Sequence, residues 1–278
     1  MSSRTPSICI SCILINHISC DRQLKPANMG RWGYRMFEGD VDLDFACEIN
    51  GAFGEGPAEL ELSHMIHQTD MLAPAWAKVY FGTGEYRDEL AERVDRVRKQ
   101  LNAGLCDRLF YKYRALEDQW NGKYRVVVVA ALMMRAGAFI KQDNLDHARE
   151  LANEIPGKHG FVWPLAEEGF RYAGKVQFLA ALDNYKPGTP RDFNEPSCFH
   201  CGKVCVDIGK TPKKCGKCES AWYCNADCQK AQWKNHNAEE NAECLRTAAH
   251  QPTLVLGEIA PSSRVSQPSN HADVDDAL

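Results

Sequence analysis

The chain has 278 residues, 44% of them hydrophobic, and a formal net charge of −4 at pH 7. That length allows one or two domains and that apolar fraction can fill a core, which excludes a wholly disordered chain. The near-neutral charge excludes broad affinity for nucleic acid or membrane surfaces, and no stretch approaches the ~20 apolar residues a membrane helix needs.

Residues 1–25 read as a poorly ordered N-terminal segment. The apolar run Ile8–Ile15 behind Arg4 is too short for a spanning helix and has no small-residue cleavage site behind it. Cys9-x2-Cys12-x4-His17-x2-Cys20 resembles a zinc knuckle, but its last interval is short and Ile stands where a knuckle needs glycine to bend round a metal. Apolar packing or disorder is the expectation there. Asn16-His17-Ile18-Ser19-Cys20 resembles the Asn-His-Ser-Cys run of SET-domain lysine methyltransferases, with an extra Ile and on the wrong side of the cysteine cluster described below.

Residues 26–182 read as a helical domain. Leu90, Val94, Val97, Leu101, Leu105, Leu109, Tyr113, Leu116 and Trp120 fall in steps of three and four, which predicts one long helix from Tyr86 to Trp120. Gly104 weakens that helix without having to end it. Tyr124–Ile140 is almost wholly apolar and too long for a strand; Ala130-Ala131-Leu132-Met133-Met134 favours a buried helix over the β-branched Val126–Val129. Asp143 is the expected N-cap of the next helix, which Pro156-Gly157 stops. Pro164 opens a further helix to about Leu182.

Residues 183–197, with Pro187, Gly188, Pro190 and Pro196, have a linker composition, and residues 245–278 read as a disordered tail ending in acidic Asp273–Asp276.

Eight of the 13 cysteines lie between Cys198 and Cys244 in an otherwise Cys-poor chain, which points to thiolate ligands in a reducing, intracellular compartment (cytoplasmic or nuclear) and away from a disulfide scaffold. Cys198-x2-Cys201 and Cys215-x2-Cys218 are turns that aim two sulfurs at one metal, and Cys224-x3-Cys228 puts two sulfurs on one helical face. With His236 and Cys244 these make eight ligands, enough for two zinc ions. Four protein ligands leave zinc no open position, so both ions are structural. Spacing alone leaves open whether the pairs combine in sequence or interleaved. Cys205 is read as packing.

The run Cys198-x2-Cys201, Cys215-x2-Cys218-x4-Tyr223-Cys224-x3-Cys228-Gln229 with Trp233 and His236 resembles the MYND-type zinc finger. The resemblance covers residues 198–244 and implies a short hairpin plus helix. It implies interleaved sites: Cys198, Cys201, Cys224 and Cys228 on one zinc, Cys215, Cys218, His236 and Cys244 on the other. It also implies recognition of an extended proline-containing peptide of the PxLxP type by Gln229 and Trp233, a mode in which strand addition supplies affinity. Where the family has His-x3-Cys, seven residues separate His236 from Cys244, and removing Asn237–Glu240 restores the shorter spacing. Four extra residues on a continuous helix would carry Cys244 about 6 Å along the axis.

Lys210, Lys213, Lys214 and Lys217 form a basic patch, but seven lysines against six acidic residues across 198–244 leave little net charge, which fits a solvated face and no nucleic-acid partner. Trp222, Tyr223 and Trp233 supply either a small core or a peptide-binding surface. The expectation is a mainly α-helical, non-enzymatic adaptor with a C-terminal two-zinc finger. The runner-ups are a methyltransferase-related enzyme and a transcriptional regulator. The 34 residues after Cys244 are too few for the rest of a SET fold.

Overall fold

Val126 to Met134 show no exposed surface at all, and the rest of the helical region is arranged around them. In this computed structural model, residues 31–53, 60–157 and 169–238 are described, 234–238 through their backbone alone. The helices are α1 (Asp40–Asn50), α2 (Ala75–Phe81), α3 (Gly84–Gln100), α4 (Cys106–Arg114), α5 (Gly122–Ala136), α6 (Gln142–Glu154), α7 (Tyr172–Asn184), the single turn α8 (Cys205–Ile208) and α9 (Ala226–Ala238). A two-stranded antiparallel hairpin, β1 (Lys213–Lys214) and β2 (Trp222–Tyr223), pairs Lys213 with Tyr223 and Lys214 with Trp222. The expected segments 1–25 and 245–278 lie outside the described residues.

The buried helix is α5, packed on α1, α3, α4 and α6. Its valines have poor helix propensity, yet burial on every side outweighs a few tenths of a kcal/mol per residue. It ends on Gly137 (φ 71°), whose amide reaches Met133 and Met134 carbonyls. Only glycine fits there, because a Cβ would stand 2.9 Å from the Pro190 nitrogen.

The single helix expected from Tyr86 to Trp120 is divided. Leu101–Leu105 form a π turn, with Gly104 at φ 108°, between α3 and α4. The wider turn re-phases the stripe, so that Leu101, Leu109 and Tyr113 still face the core. The helix stops at Arg114, and Trp120 is 67% exposed instead of closing the stripe. The cap of α6 also differs: extended Lys141 is the N-cap, without a side-chain bond, and Asp143 lies in the first turn, where its charge favours the helix dipole. Ile155 ends α6 just before Pro156, as the sequence demands. The expected start at Pro164 lies outside the described residues. Gly169–Arg171 are not helical, so α7 begins at Tyr172 and runs two residues past Leu182.

One buried polar cluster ties the N-terminal end to this core. Asp42 has no exposed surface and accepts from both Arg31 Nη1 and Nη2 (3.1 and 2.9 Å), the Phe37 amide (2.8 Å) and the Tyr124 hydroxyl (2.7 Å). A carboxylate so fully bonded survives burial, and its charge pushes the Tyr124 hydroxyl well above 10, after burial itself.

Within 183–197 the stretch from Arg191 is packed against the helices, whereas 186–190 are exposed. Phe193 is buried edge-on to Phe37, and the Gln177 amide donates to its carbonyl at 3.0 Å. The Arg191 amide donates to Met134 of α5 at 2.9 Å. Its guanidinium meets the Asp207 carboxylate of α8 through two 2.6 Å bonds. The C-terminal cysteine-rich segment is therefore seated on the helices. Its own small core includes Ala173 of α7, and Phe199 packs on Tyr34, their ring centroids 5.7 Å apart.

Candidate metal centre

Two Cys-x2-Cys turns and one helix end build the site, each held by backbone bonds. In the first turn the Cys198 amide donates to Lys203 and the Gly202 amide to Cys198, at 2.9 and 2.7 Å. Gly202 closes the turn in the left-handed region (φ 71°). A Cβ on it would lie 1.8 Å from the Val176 carbonyl oxygen of α7, so glycine is required by conformation and by close approach. The second turn is built alike: the Glu219 amide donates to Cys215 at 2.9 Å and Glu219 is also left-handed (φ 55°). Glu219 is exposed, so a side chain is tolerated there at a cost in strain.

The hairpin links the two turns. Phe199 donates its amide to Trp222 at 2.8 Å, and Cys215 donates to Ala221 at 2.8 Å. After β2 the chain passes Cys224 and enters α9, where the Asn225 side chain accepts from the Cys228 amide at 2.9 Å. This caps the helix and fixes Cys228 in its first turn. That role for Asn225 was missed in the sequence, although an Asn between the two cysteines, directly ahead of the helix that carries Cys228, is a legible cap signal; Cys224 itself lies before the helix and does not share one helical face with Cys228.

The result is one cluster. The sulfurs of Cys198, Cys201, Cys224 and Cys228 all lie within 4.8 Å of one another, Cys201 and Cys224 at 3.5 Å. A tetrahedral zinc with bonds of about 2.3 Å needs sulfurs about 3.8 Å apart, so the set fits the ion. They are the four that the MYND resemblance groups on one metal. Their protonation shows the same crowding: Cys201 donates to Cys198 and holds it down to about 4, while that bond pushes Cys201 far up. Burial raises Cys224 to about 11. Sulfurs sharing protons at this distance exchange them readily for a dication.

Of the other four candidates, Cys215 and Cys218 are both buried in the finger core. The Gln229 amide nitrogen donates to the Cys215 sulfur at 3.6 Å, a contact the sequence did not suggest. His236 lies on α9, well beyond Cys228, and its side chain and the whole of Cys244 lie outside the described residues. α9 continues to Ala238, so the first two residues of the longer interval, Asn237 and Ala238, are helical. Cys205 stands apart from the four-thiol group, half-buried at the start of α8. Trp233 is half-buried with Lys217 Nζ 5.6 Å from its ring centroid, and Trp222 has Lys214 Nζ at 6.0 Å.

A four-thiol cluster, a two-residue hairpin and a capped helix define a zinc-finger fold, and residues 198–239 match the family model for the MYND finger. The chain carries a MYND-type zinc finger. A Xenopus laevis protein named N-lysine methyltransferase SMYD2-A is 58% identical over 45 residues, covering 16% of this chain and 10% of its own length. The Danio rerio N-lysine methyltransferase SMYD2-B is 50% identical over 117 residues, 39% of this chain and 25% of that protein. A SET and MYND domain-containing protein of Dictyostelium discoideum is 33% identical over 66 residues, 24% of this chain and 16% of its own. The chain thus spans a tenth to a quarter of the length of these curated relatives. No solved structure matches it. Among the described residues no helix is long and apolar enough to cross a membrane.

Proposed function

We propose that the protein is an intracellular, non-enzymatic adaptor whose zinc-braced finger recognises a proline-containing peptide of a partner protein. Two structural zinc ions brace it, one on Cys198, Cys201, Cys224 and Cys228, the other on Cys215, Cys218, His236 and Cys244. The observation that carries the reading is the hairpin's own surface. Gln229 lines a groove beside the strands, and Trp233 stands half-exposed one helical turn further along α9. An extended chain laid along a short hairpin satisfies its backbone by strand addition, and a neighbouring aromatic ring accepts the apolar side chain. A single aromatic anchor commonly carries about 2 kcal/mol, roughly thirtyfold in affinity. Titration of a PxLxP peptide into Trp233→Ala should show that loss with both zincs retained by metal analysis. Fewer than two zincs in the purified protein removes the two-site assignment. No binding of any such peptide by zinc-loaded protein removes the recognition role.

A second reading, a methyltransferase-related enzyme, draws support from the alignment to the Danio rerio relative, which is longer than the finger. Binding of the methyl donor in calorimetry would promote it over the adaptor.

A further inference from the structure

Between the hairpin and the start of α9 lies a groove of about 390 Å³ lined by Lys210, Lys213, Lys214, Gly216, Tyr223 and Gln229, among others. Three of its lining residues are cationic and none is acidic. Three exposed lysines elsewhere pair with carboxylates, Lys99 with Asp95 at 2.6 Å, Lys123 with Glu154 at 2.6 Å and Lys141 with Asp107 at 2.8 Å, while others such as Lys186 and Lys203 are exposed without such a pair. No carboxylate of the described residues is paired with Lys210, Lys213 or Lys214. Asp207, close in sequence, is consumed by Arg191. Gly216 leaves the groove open, since a Cβ there would meet nothing within 4 Å. Ala226 at the groove's edge is the first residue of α9, so the positive end of that helix dipole adds to the field.

Lysines gathered on a concave surface whose lining holds no carboxylate raise the local concentration of anions, against the opposing charge of the thiolates Cys215 and Cys224 in the same lining and of Asp227 in the first turn of α9. We propose that this groove docks the part of the partner peptide that flanks its proline core, and that this flank carries acidic residues. The inference rests on the peptide-recognition reading and adds to it the chemistry of the partner. A nucleic acid fits less well. The basic surface is one cluster on a chain of net charge −4, not a stripe that could follow a phosphate backbone. The lining includes residues of both hairpin strands, Lys213, Lys214 and Tyr223, which suits an extended peptide.

The test uses the full, zinc-loaded chain and two PxLxP peptides, one with glutamates flanking the core and one with glutamines. The acidic peptide should bind about tenfold tighter at low ionic strength, and raising the salt to about 0.5 M should erase most of that gap. Lys210→Gln/Lys213→Gln, which spares Lys214 on Trp222, should lower the acidic peptide's affinity far more than the glutamine peptide's, closing the gap with the zinc content unchanged. Equal affinity of the two peptides for the unsubstituted protein overturns the proposal and leaves the recognition reading standing. Failure of both peptides to bind overturns both. Zinc loss in the double variant shows that the lysines serve the thiolate sites instead. Displacement of the acidic peptide by a duplex oligonucleotide at equal concentration assigns the groove to nucleic acid. A gain in acidic-peptide affinity on Asp273→Asn/Asp275→Asn/Asp276→Asn shows that the occupant is the chain's own tail.

Discussion

Replacing Arg191 by methionine leaves the Asp207 carboxylate without its guanidinium in a place where the two side chains are 2% and 7% exposed, carboxylate and guanidinium respectively. Two 2.6 Å bonds are lost, and only the Val204 amide, at 2.9 Å, still donates to the carboxylate. Breaking a buried pair from one side typically costs about 3–5 kcal/mol, because the orphaned charge keeps its desolvation penalty. Asp207→Asn alone strands the guanidinium in the same way. The double variant strands neither, and the amide oxygen it introduces at position 207 can still take the Val204 amide, so it should recover most of the loss. A coupling of about 2 kcal/mol or more is expected from the cycle. Urea unfolding of zinc-saturated protein gives the numbers, read by far-UV circular dichroism for the helices and by zinc release to a chromophoric chelator for the finger. Because Arg191 also bonds α5 through its amide, both signals should fall in one transition and shift together. Single variants within about 1 kcal/mol of wild type, or a finger that melts separately while the helices hold, would refute the claim that the finger is seated rigidly on the helical region.

The two left-handed residues that close the Cys turns should respond oppositely: Gly202→Ala should cost about 2–5 kcal/mol, the sum of αL strain and a backbone clash with Val176, while Glu219→Gly should stabilise by about 1 kcal/mol in the same urea assay. His64 is held down to about 4, first by burial, then by His67 and Arg93, with Glu61 opposing. The unfolded chain therefore binds a proton at His64 that the native one refuses between pH 6.5 and about 4, so stability falls as pH drops through that window. His64→Gln should lose about 1–2 kcal/mol less than wild type between about pH 7.5 and 5, and parallel pH profiles would contradict it. Deleting Asn237–Glu240 should keep or raise zinc affinity in a chelator competition, since it restores the family spacing; loss of an ion would place the eighth ligand elsewhere.

The sequence was legible wherever chemistry and period are local. The Cys pairs, the buried helix α5 and the stop before Pro156 each depend on residues a few positions apart, and spacing or hydropathy records such distances directly. Other features depend on a distant partner. The grouping of Cys198 and Cys201 with Cys224 and Cys228, and not with the nearer pair Cys215 and Cys218, arises because the Phe199 amide bonds Trp222 and folds the first turn over the hairpin. Local spacing is the same for either pairing. The division of the helix at Gly104 was invisible because a π turn preserves the apolar stripe. Residues 183–197 carry prolines and glycines suited to a free spacer, and only the tertiary structure supplies the pockets for Phe193 and Arg191 that make them a fixed strut. Cysteine spacing and hydropathy by themselves determined that this chain holds zinc-ligand turns on a helical protein. The seating of the finger on α7 was decided by surfaces that meet across the fold: Gly202 against Val176, Phe199 against Tyr34, Asp207 against Arg191.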